Sequence, residues 1–194
     1  MAIDHEARRR QIAEIAIDVI AAEGVGAATI RRIASEARFS TAAVTYYFAS
    51  KQDLLAWTFA VLSAQGDERF EAAFREAPDD PVPALLTFTA WCPANVRRWR
   101  AYLAFWEAAA RDEGLAAIIR DATAAGLADI ERLLRRIHGD GPDLAKASRL
   151  LNSIVQGVSL QAIVAPQDWP VEVIRATLAQ GVEAALAPAR ITAS

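Results

Sequence analysis

The stretch TIRRIASEARFSTAAVTYYFASK, residues 29–51, decides the fold of this chain. Thr29 is a favourable helix N-cap, and apolar residues recur behind it at helical spacing until the register breaks at residues 37–39. Ser40 or Thr41 can cap a second short helix, and Ser50 can cap a third. The stretch therefore predicts a helix, a tight turn, a second helix and the start of a third.

The second of these helices presents small and polar side chains outward, as a helix must if it is to enter a DNA major groove. Its outward residues are Thr41, Ala42, Ala43, Thr45 and Tyr46. Hydroxyl groups can hydrogen-bond base edges or phosphates, and methyl groups can contact thymine methyls. Lys51 stands at the start of the next helix, where backbone N–H groups and the helix dipole favour a phosphate.

The run TIRRIASEARFSTAAVTYYFASKQDLL, residues 29–55, resembles the DNA-binding signature of tetracycline-repressor (TetR-type) transcriptional regulators. Within that family it is most similar to the choline-responsive BetI-like subgroup, in which a small hydroxyl residue stands at the position of Thr45. The resemblance implies an all-α fold, with an N-terminal three-helix helix-turn-helix DNA-binding domain in residues 1–51. A larger helical effector-binding and dimerisation domain is implied for residues 52–194.

The resemblance also implies which residues contact DNA. Phosphate contacts are expected from Thr29, Tyr46, Tyr47 and Lys51, and base or groove contacts from Ser40, Thr41, Ala42 and Thr45. The alternative for Tyr47 is a ring in the core with only its hydroxyl exposed. Arg38 and Ala42 depart from the family, which usually has Gly at both positions. If Arg38 is left-handed, its side chain costs roughly 1 kcal/mol.

The charge distribution permits DNA binding, although the net charge of −3 argues against it at first. Residues 1–51 hold 7 Lys/Arg against 6 Asp/Glu, whereas the rest of the chain holds 14 against 18. DNA binding requires a local positive face and not a basic whole chain. The candidate cations are Arg8, Arg9, Arg10, Arg31, Arg32, Arg38 and Lys51. A solvated helix start is an equal alternative for Arg8–Arg10.

Several classes of protein are disfavoured by the sequence. No apolar run reaches transmembrane length, and the first residues lack the apolar centre of a secretion signal. The one cysteine, Cys92, excludes an intramolecular disulfide and fits a reducing cytoplasm. Cys92, His5 and His138 do not form a metal-binding spacing, and we expect neither a metal nor a cofactor. No set of catalytic side chains is recognisable, which argues against an enzyme.

Helical periodicity continues to about residue 187 and predicts an all-α protein. Beyond the short helices of the 29–51 stretch, helices are expected over about 4–23, 50–77, a segment ending near 91, 94 or 95 to 111, 113–137, 143–164 and 170–187. A turn is expected over residues 138–142, and the tail from Pro188 is expected to be loose. The long helix that starts at Ser50 could act as a lever between two subdomains.

Large aromatic residues are concentrated between residues 88 and 106. Trp99, Tyr102 and Trp106 share a helix face, and for any one of them core packing is the plain alternative. Aromatic faces attract quaternary ammonium groups, and the choline-responsive resemblance points the same way. The expected effector-binding residues are Trp91, Tyr102, Phe105, Trp106, Asn152 and Gln156. Glu107 would balance a cationic ligand or lie on the surface, and Asn152 with Gln156 could instead hydrogen-bond across a dimer interface.

The last two helices, about residues 143–187, carry apolar residues on two sides, so two copies could form a four-helix homodimer interface. One recognition helix reads too few base pairs, so a two-fold dimer on a near-palindromic operator is expected. The leading hypothesis is a ligand-responsive repressor, in which a small molecule bound in the 83–164 region tilts the long helix and changes the spacing of the two recognition helices. The alternative is a helical binding or scaffold protein with a vestigial helix-turn-helix.

Overall fold

The computed structural model describes residues 5–140 and 143–187 of the chain. Within these residues the regular structure is nine α-helices and one short 3-10 turn, Val25–Ala27, which confirms the all-α prediction. The helices are α1 His5–Glu23, α2 Ile30–Ala37, α3 Thr41–Tyr47, α4 Lys51–Glu76, α5 Pro81–Thr87, α6 Pro93–Ala109, α7 Glu113–His138, α8 Leu144–Val164 and α9 Val171–Leu186. Asp4 of the first predicted helix, Gly141 and Pro142 of the predicted turn, and the tail from Pro188 lie outside the described residues.

The described residues divide into two compact units. The first unit comprises residues 5–65 and 97–122, and the second comprises residues 66–96, 123–140 and 143–187. The expected functional division at residue 51 differs from this one, because the first half of α4 packs into the same core as α1–α3. The functional division therefore stays a prediction.

The first unit has one continuous apolar core. Ile12, Ile17 and Ile20 of α1 are buried there with Ile33 of α2 and Val44 of α3. Leucines and phenylalanines of α4 and α6 complete the core, and they are Leu54, Leu55, Phe59, Leu62 and Phe105. Since close-packed interiors resist deformation, this core holds α2 and α3 in a fixed relation to α1.

Side-chain caps set the starts of the three helices in the 29–51 stretch, as predicted. Thr29 Oγ1 accepts a hydrogen bond from the Arg32 N–H at 3.1 Å. Ser40 Oγ accepts from the Ala43 N–H at 3.0 Å, and Ser50 Oγ accepts from the Asp53 N–H at 3.1 Å. Each such cap contributes about 1 kcal/mol to the stability of its helix.

The turn between α2 and α3 contains a left-handed arginine. Arg38 has φ 55° and ψ 37°, which is the conformation foreseen for this position as a possibility. Its N–H donates to the Ser35 carbonyl at 3.2 Å, and the Phe39 N–H donates to the Ala34 carbonyl at 2.9 Å. These are the two hydrogen bonds of a Schellman motif, which ends α2 and redirects the chain into α3.

In the second unit, α9 packs against both α8 and α5. The contact between α8 and α9 is close at Gly181, where an added Cβ would lie 2.7 Å from Ile154 Cδ1. Phe70 of α4 stacks on Phe88, with ring centroids 4.9 Å apart. These contacts make the last two helices part of a packed unit.

Two helix ends near residues 87–93 differ from the prediction. α5 ends at Thr87 and not near Trp91, because the Asn95 side-chain amide donates to the carbonyls of Thr87 and Thr89 at 3.0 and 2.7 Å and stabilises a non-helical segment. Pro93 begins α6 and does not precede it, since the first helical turn needs no N–H from that position. Within residues 5–140 and 143–187, no helix combines the length and apolarity needed to cross a bilayer.

Candidate nucleic-acid interface and effector residues

The face of α3 that points away from the core carries short side chains. Thr41, Ala42, Thr45 and Tyr46 are exposed, and Tyr46 retains 73% of its surface. Val44 on the opposite face is buried, and Phe48 just after the helix is buried as well. The sequence pattern predicted these four residues and also Ala43 to point outward, but Ala43 is half-buried. The result is a narrow helix surface on a rigid base, and that combination suits insertion into a groove.

The hydroxyl groups near this face differ in what they can offer to DNA. Ser40 Oγ accepts a bond from the Ala43 N–H, so its own proton is available for a phosphate or a base acceptor. Thr45 Oγ1 donates to the Ala42 carbonyl at 3.0 Å, so it offers lone pairs to a base amino group. Thr29 is exposed at the start of α2, with Oγ1 engaged as the cap acceptor.

Two tyrosines and a histidine form an aromatic cluster at the end of α3. The Tyr46 and Tyr47 rings meet edge to face, with centroids 5.0 Å apart. The His5 ring lies 4.9 Å from Tyr47 and 5.8 Å from Tyr46. Tyr47 is half-buried, which lies between the two alternatives drawn for it from the sequence. Because the rings support one another, the exposed Tyr46 hydroxyl is held by a packed group.

Lys51 lies at the start of α4, as the sequence indicated. Its Nζ donates to the Gly26 carbonyl at 3.2 Å, and its side chain is half-buried. An ammonium group has three donors, so this bond leaves donors for an anion. Lys51 thereby links the start of α4 to the 3-10 turn before α2, and its assignment to phosphate stays a prediction.

The candidate cations fall into two groups, and those of the first group contact acidic or aromatic side chains of the protein itself. Arg9 is half-buried, with its guanidinium over the Phe48 and Trp57 rings and Nη2 3.1 Å from Asp53 Oδ1. Arg32 pairs with Glu23 at 2.6 Å and with Glu36, and the hydrogen bond and charge of Glu23 raise the pKa of its guanidinium. Arg10 pairs loosely with Glu6 at 3.8 Å.

The second group stays available to a partner. Arg31 and Arg38 are exposed, and neither forms an ion pair with a residue in the part of the chain that the structure describes. Arg8 lies over the Phe39 ring at 5.2 Å and donates to the Gln11 side chain at 2.7 Å. The equal alternatives drawn for Arg8–Arg10 thus separate by residue, because Arg9 turns inward and the other two do not.

Three of the candidate effector residues lie in the first unit. Phe105 is fully buried, with its ring 5.0 Å from Phe59. Tyr102 is half-buried, also meets Phe59 edge to face, and has its hydroxyl 3.4 Å from the Leu62 carbonyl. Trp106 retains 42% of its surface. Phe105 occupies a core position, whereas Tyr102 and Trp106 keep surface that a ligand could contact.

The other three candidates lie in the second unit. Trp91 retains 43% of its surface in the segment between α5 and α6. Asn152 and Gln156 are half-buried on α8, one turn apart. Glu107, considered as a counter-charge for a cationic ligand, is exposed and pairs with Arg111 at 3.0 Å. That ion pair favours the surface alternative for Glu107, and the effector assignments as a set remain predictions.

Sequence reasoning missed the roles of two residues in α1. From the sequence, His5 draws attention only as a possible metal ligand, yet its ring packs on the recognition helix. Arg9 joins α1 to the start of α4 across 44 residues. The available signal was the spacing of His5 and Arg9, which places them one turn apart on the face of an amphipathic helix. Among the residues described, no three His, Cys, Asp or Glu side chains are grouped to hold a metal ion.

Comparison with known proteins identifies the family. Residues 12–56 match the family model of bacterial regulatory proteins of the tetR family, and residues 84–187 match the model of the BetI-type transcriptional repressor C-terminal domain. The chain is 28% identical over 191 residues to the HTH-type transcriptional regulator PksA of Bacillus subtilis (strain 168), covering 93% of this chain and 91% of that protein.

Solved structures agree with this identification. A transcriptional regulator from Rhodococcus sp. Rha1 superposes with a TM-score of 0.81 at 25% identity, covering 92% of this chain and 95% of that one. A transcriptional regulator from Saccharomonospora viridis in complex with choline superposes with a TM-score of 0.73 at 22% identity, covering 92% and 96%. At that identity the second likeness concerns the fold. The chain belongs to the TetR family of DNA-binding transcriptional regulators, which are not enzymes, and carries a BetI-type C-terminal domain.

Proposed function

We propose that this regulator represses transcription by binding a near-palindromic operator as a homodimer, and that a small cationic molecule releases it. The observation that carries the proposal is the exposed face of α3, which is small and hydroxyl-rich while its other side is buried in the core. A helix with that surface can approach base edges closely without losing its fixed orientation. Because it belongs to a family of DNA-binding transcriptional regulators, it would act in the cytoplasm.

The DNA contacts follow from the geometry of this face and the capped helix starts. Ser40, Thr41, Ala42 and Thr45 would face bases or the groove, and Thr29, Tyr46, Tyr47 and Lys51 would face phosphates. The Ser40 proton and the Thr45 lone pairs give a donor and an acceptor five residues apart, so the pair can distinguish base edges. Lys51 adds an ammonium group beside the N-terminus of α4.

An electrophoretic mobility-shift assay on DNA upstream of the gene tests the operator proposal. We expect retardation of one upstream fragment that persists with excess random competitor DNA, since specific affinity exceeds non-specific affinity by about a thousandfold or more. The scaffold alternative predicts no retardation of any upstream fragment even at low salt. That outcome would remove the operator proposal while leaving the family membership intact.

The homodimer would form through α8 and α9. Several large apolar residues of these two helices are exposed. They are Leu150, Leu160 and Val164 of α8, of which Val164 retains 74% of its surface, and Val173 of α9. The α8 residues recur at helical spacing, so they lie along one stripe of that helix. Two copies of this helix pair would cover the apolar stripes in a four-helix arrangement.

A quaternary amine is the ligand class that we propose for the effector. Tyr102 and Trp106 of the first unit keep partly exposed aromatic surface, and aromatic faces bind quaternary ammonium groups that cannot hydrogen-bond. The fold neighbour from Saccharomonospora viridis holds choline, which makes choline the first compound to test here.

Thermal melting with choline, betaine and a flat aromatic compound separates these possibilities. A ligand that binds only the folded state stabilises it by about 2.7 kcal/mol at a hundred times its dissociation constant. We expect choline to raise the melting temperature and to reduce retardation of the upstream fragment. A rise with the flat compound alone would contradict the quaternary-amine assignment, and an unchanged DNA complex with bound choline would contradict release.

A further inference from the structure

Arg38 occupies a backbone conformation that disfavours its side chain. Among the described residues it is the one non-glycine residue with a positive φ, and at the other two positive-φ positions the chain uses Gly24 and Gly139. Left-handed backbone brings Cβ close to the following carbonyl in every L-residue except glycine, which lacks the atom. Strained positions of this kind persist where a side chain has a function.

The Arg38 side chain has no evident role in holding the turn together. The two Schellman hydrogen bonds use backbone atoms only, so glycine would make them equally well. The side chain is exposed and forms no ion pair within the part of the chain that the structure describes, in contrast with Arg9 and Arg32. Neither packing nor internal charge pairing therefore explains an arginine at this turn.

Arg38 lies close to the start of the candidate DNA-contacting helix α3. It stands two residues before Ser40, the cap of α3, and two residues of chain span at most about 7 Å. The Arg8 guanidinium lies 5.2 Å from the ring of the next residue, Phe39, which brings a second cation close to the turn. Acidic residues are absent from α3 itself, TAAVTYY, so nothing on that helix opposes an anion there.

We propose that Arg38 binds a phosphate of the DNA backbone beside the groove that α3 enters, and that the strained turn is retained because it presents this guanidinium. The planar guanidinium fork matches two phosphate oxygens, which an ammonium group does not. The proposal rests on the proposed function, since it requires α3 to engage DNA. Arg38 is then a positioning contact that fixes the approach of α3 and carries no base specificity.

The test uses the upstream fragment that the wild-type protein retards, with affinities measured from 50 to 300 mM KCl by fluorescence anisotropy. Arg38→Gly and Arg38→Asn both remove the positive charge, and both replacement residues tolerate a left-handed backbone. Each should weaken binding roughly tenfold per protomer at 0.1 M salt and lower the salt slope by about 0.9 per protomer. Arg38→Lys should keep most of the salt slope, because the positive charge remains. It should bind more weakly than wild type, because an ammonium group does not match two phosphate oxygens as the guanidinium fork does.

The melting temperature should change in the opposite direction to the DNA affinity, because glycine relieves the backbone strain at position 38. Arg38→Gly should melt at a higher temperature than wild type while binding DNA more weakly, a combination that damage to the fold does not produce. Arg100→Gln, an exposed arginine of α6 in the same unit, is the matched control and should leave the salt slope unchanged.

Each remaining outcome has a distinct meaning. Full affinity and an unchanged slope in Arg38→Gly would overturn the phosphate contact while the operator proposal stands. Equal losses of slope in Arg38→Gly and Arg100→Gln would show a general charge effect and also overturn it. If the wild-type protein retards no DNA, the proposed function and this inference fall together.

Discussion

The Arg9 guanidinium carbon lies 4.1 Å from the centroid of the Trp57 ring, which joins the first turns of α1 to α4. The same guanidinium lies over the Phe48 ring at 4.8 Å and pairs with Asp53. Asp53 also accepts from the Ala49 N–H at 3.0 Å, so it belongs to the cap of α4. The recognition helix ends at Tyr47, immediately before Phe48, and the Arg9 contact therefore supports its C-terminal end.

Replacement of Arg9 by alanine should destabilise the protein by about 1–2 kcal/mol, because a largely buried cation–π contact and an ion pair are lost together. Arg10→Ala is the matched control, since its pair with Glu6 is exposed and should change stability by less than about 0.5 kcal/mol. Urea unfolding of both variants gives the comparison. Equal free energies of unfolding for the two would show that the ring contacts contribute nothing.

Arg97 and Arg98 are adjacent and should differ strongly in their effect on stability. Arg98 is 5% exposed and donates to the Gln65 side chain and the Leu62 carbonyl, both at 2.5 Å. Arg98→Ala should therefore cost about 2–3 kcal/mol, since buried hydrogen bonds from a charged donor are lost. Arg97→Ala should cost about 1 kcal/mol or less, because its pairs with Asp18 and Glu14 are partly exposed to solvent.

Thermal and urea unfolding of the two variants check this order. A larger effect from Arg97 would mean that its long-range pairs between α6 and α1 dominate over the buried bonds of Arg98. That reversal would contradict the burial argument directly.

The double variant Thr45→Ala, Tyr46→Ala should lose specific binding to the upstream fragment while keeping its melting temperature. Both side chains are exposed, so their removal leaves the core intact. Alanine favours the helix, which preserves α3. Mobility shifts with specific and random DNA measure the specificity ratio. An unchanged ratio would reject these two residues as DNA contacts.

Lys51→Met should weaken binding evenly on all DNA sequences and lower the salt slope by about 1 per protomer. The methionine keeps much of the side-chain length but cannot bind a phosphate or the Gly26 carbonyl. Lys146→Met, an exposed lysine of α8, is the control and should leave the slope unchanged. A drop in specific binding alone, with the slope retained, would show that Lys51 acts by orienting the 3-10 turn.

If the proposed homodimer forms through α8 and α9, Leu160→Glu should make the protein a monomer at micromolar concentration. Leu160 is 46% exposed on α8, and a carboxylate in an apolar interface would be desolvated without a partner. Sedimentation equilibrium measures the change, with circular dichroism to confirm the fold. Ala128→Glu, at an exposed position of α7, should remain dimeric. A dimeric Leu160→Glu protein would place the interface elsewhere.

Local features of the fold were accessible from the sequence. The Thr29, Ser40 and Ser50 caps, the short α3 and the long α4 were predicted because a cap and its helix lie within a few residues of each other. The turn at Arg38 is likewise a local feature, because the break in helical register at residues 37–39 predicted the turn that the structure contains. The family assignment follows from this same stretch.

Contacts between distant residues were not accessible. Nothing around Arg9 in the chain indicates Trp57, and Arg97 meets Asp18 across 79 residues. The early end of α5 depends on the Asn95 side chain eight residues beyond Thr87, which competes with helix continuation through contacts that periodicity does not encode. Effector residues are hardest, because aromatic periodicity looks the same in a core, where Phe105 lies, and in a pocket wall.

The internal pairing of Arg9 and Arg32 also bears on how the regulator reaches its site. Both charges are compensated within the protein, so contact with arbitrary DNA would displace fewer counterions than the seven candidate cations of residues 1–51 suggest. We therefore expect the rest of the genome to sequester fewer copies of this regulator than of one in which all seven cations face solvent.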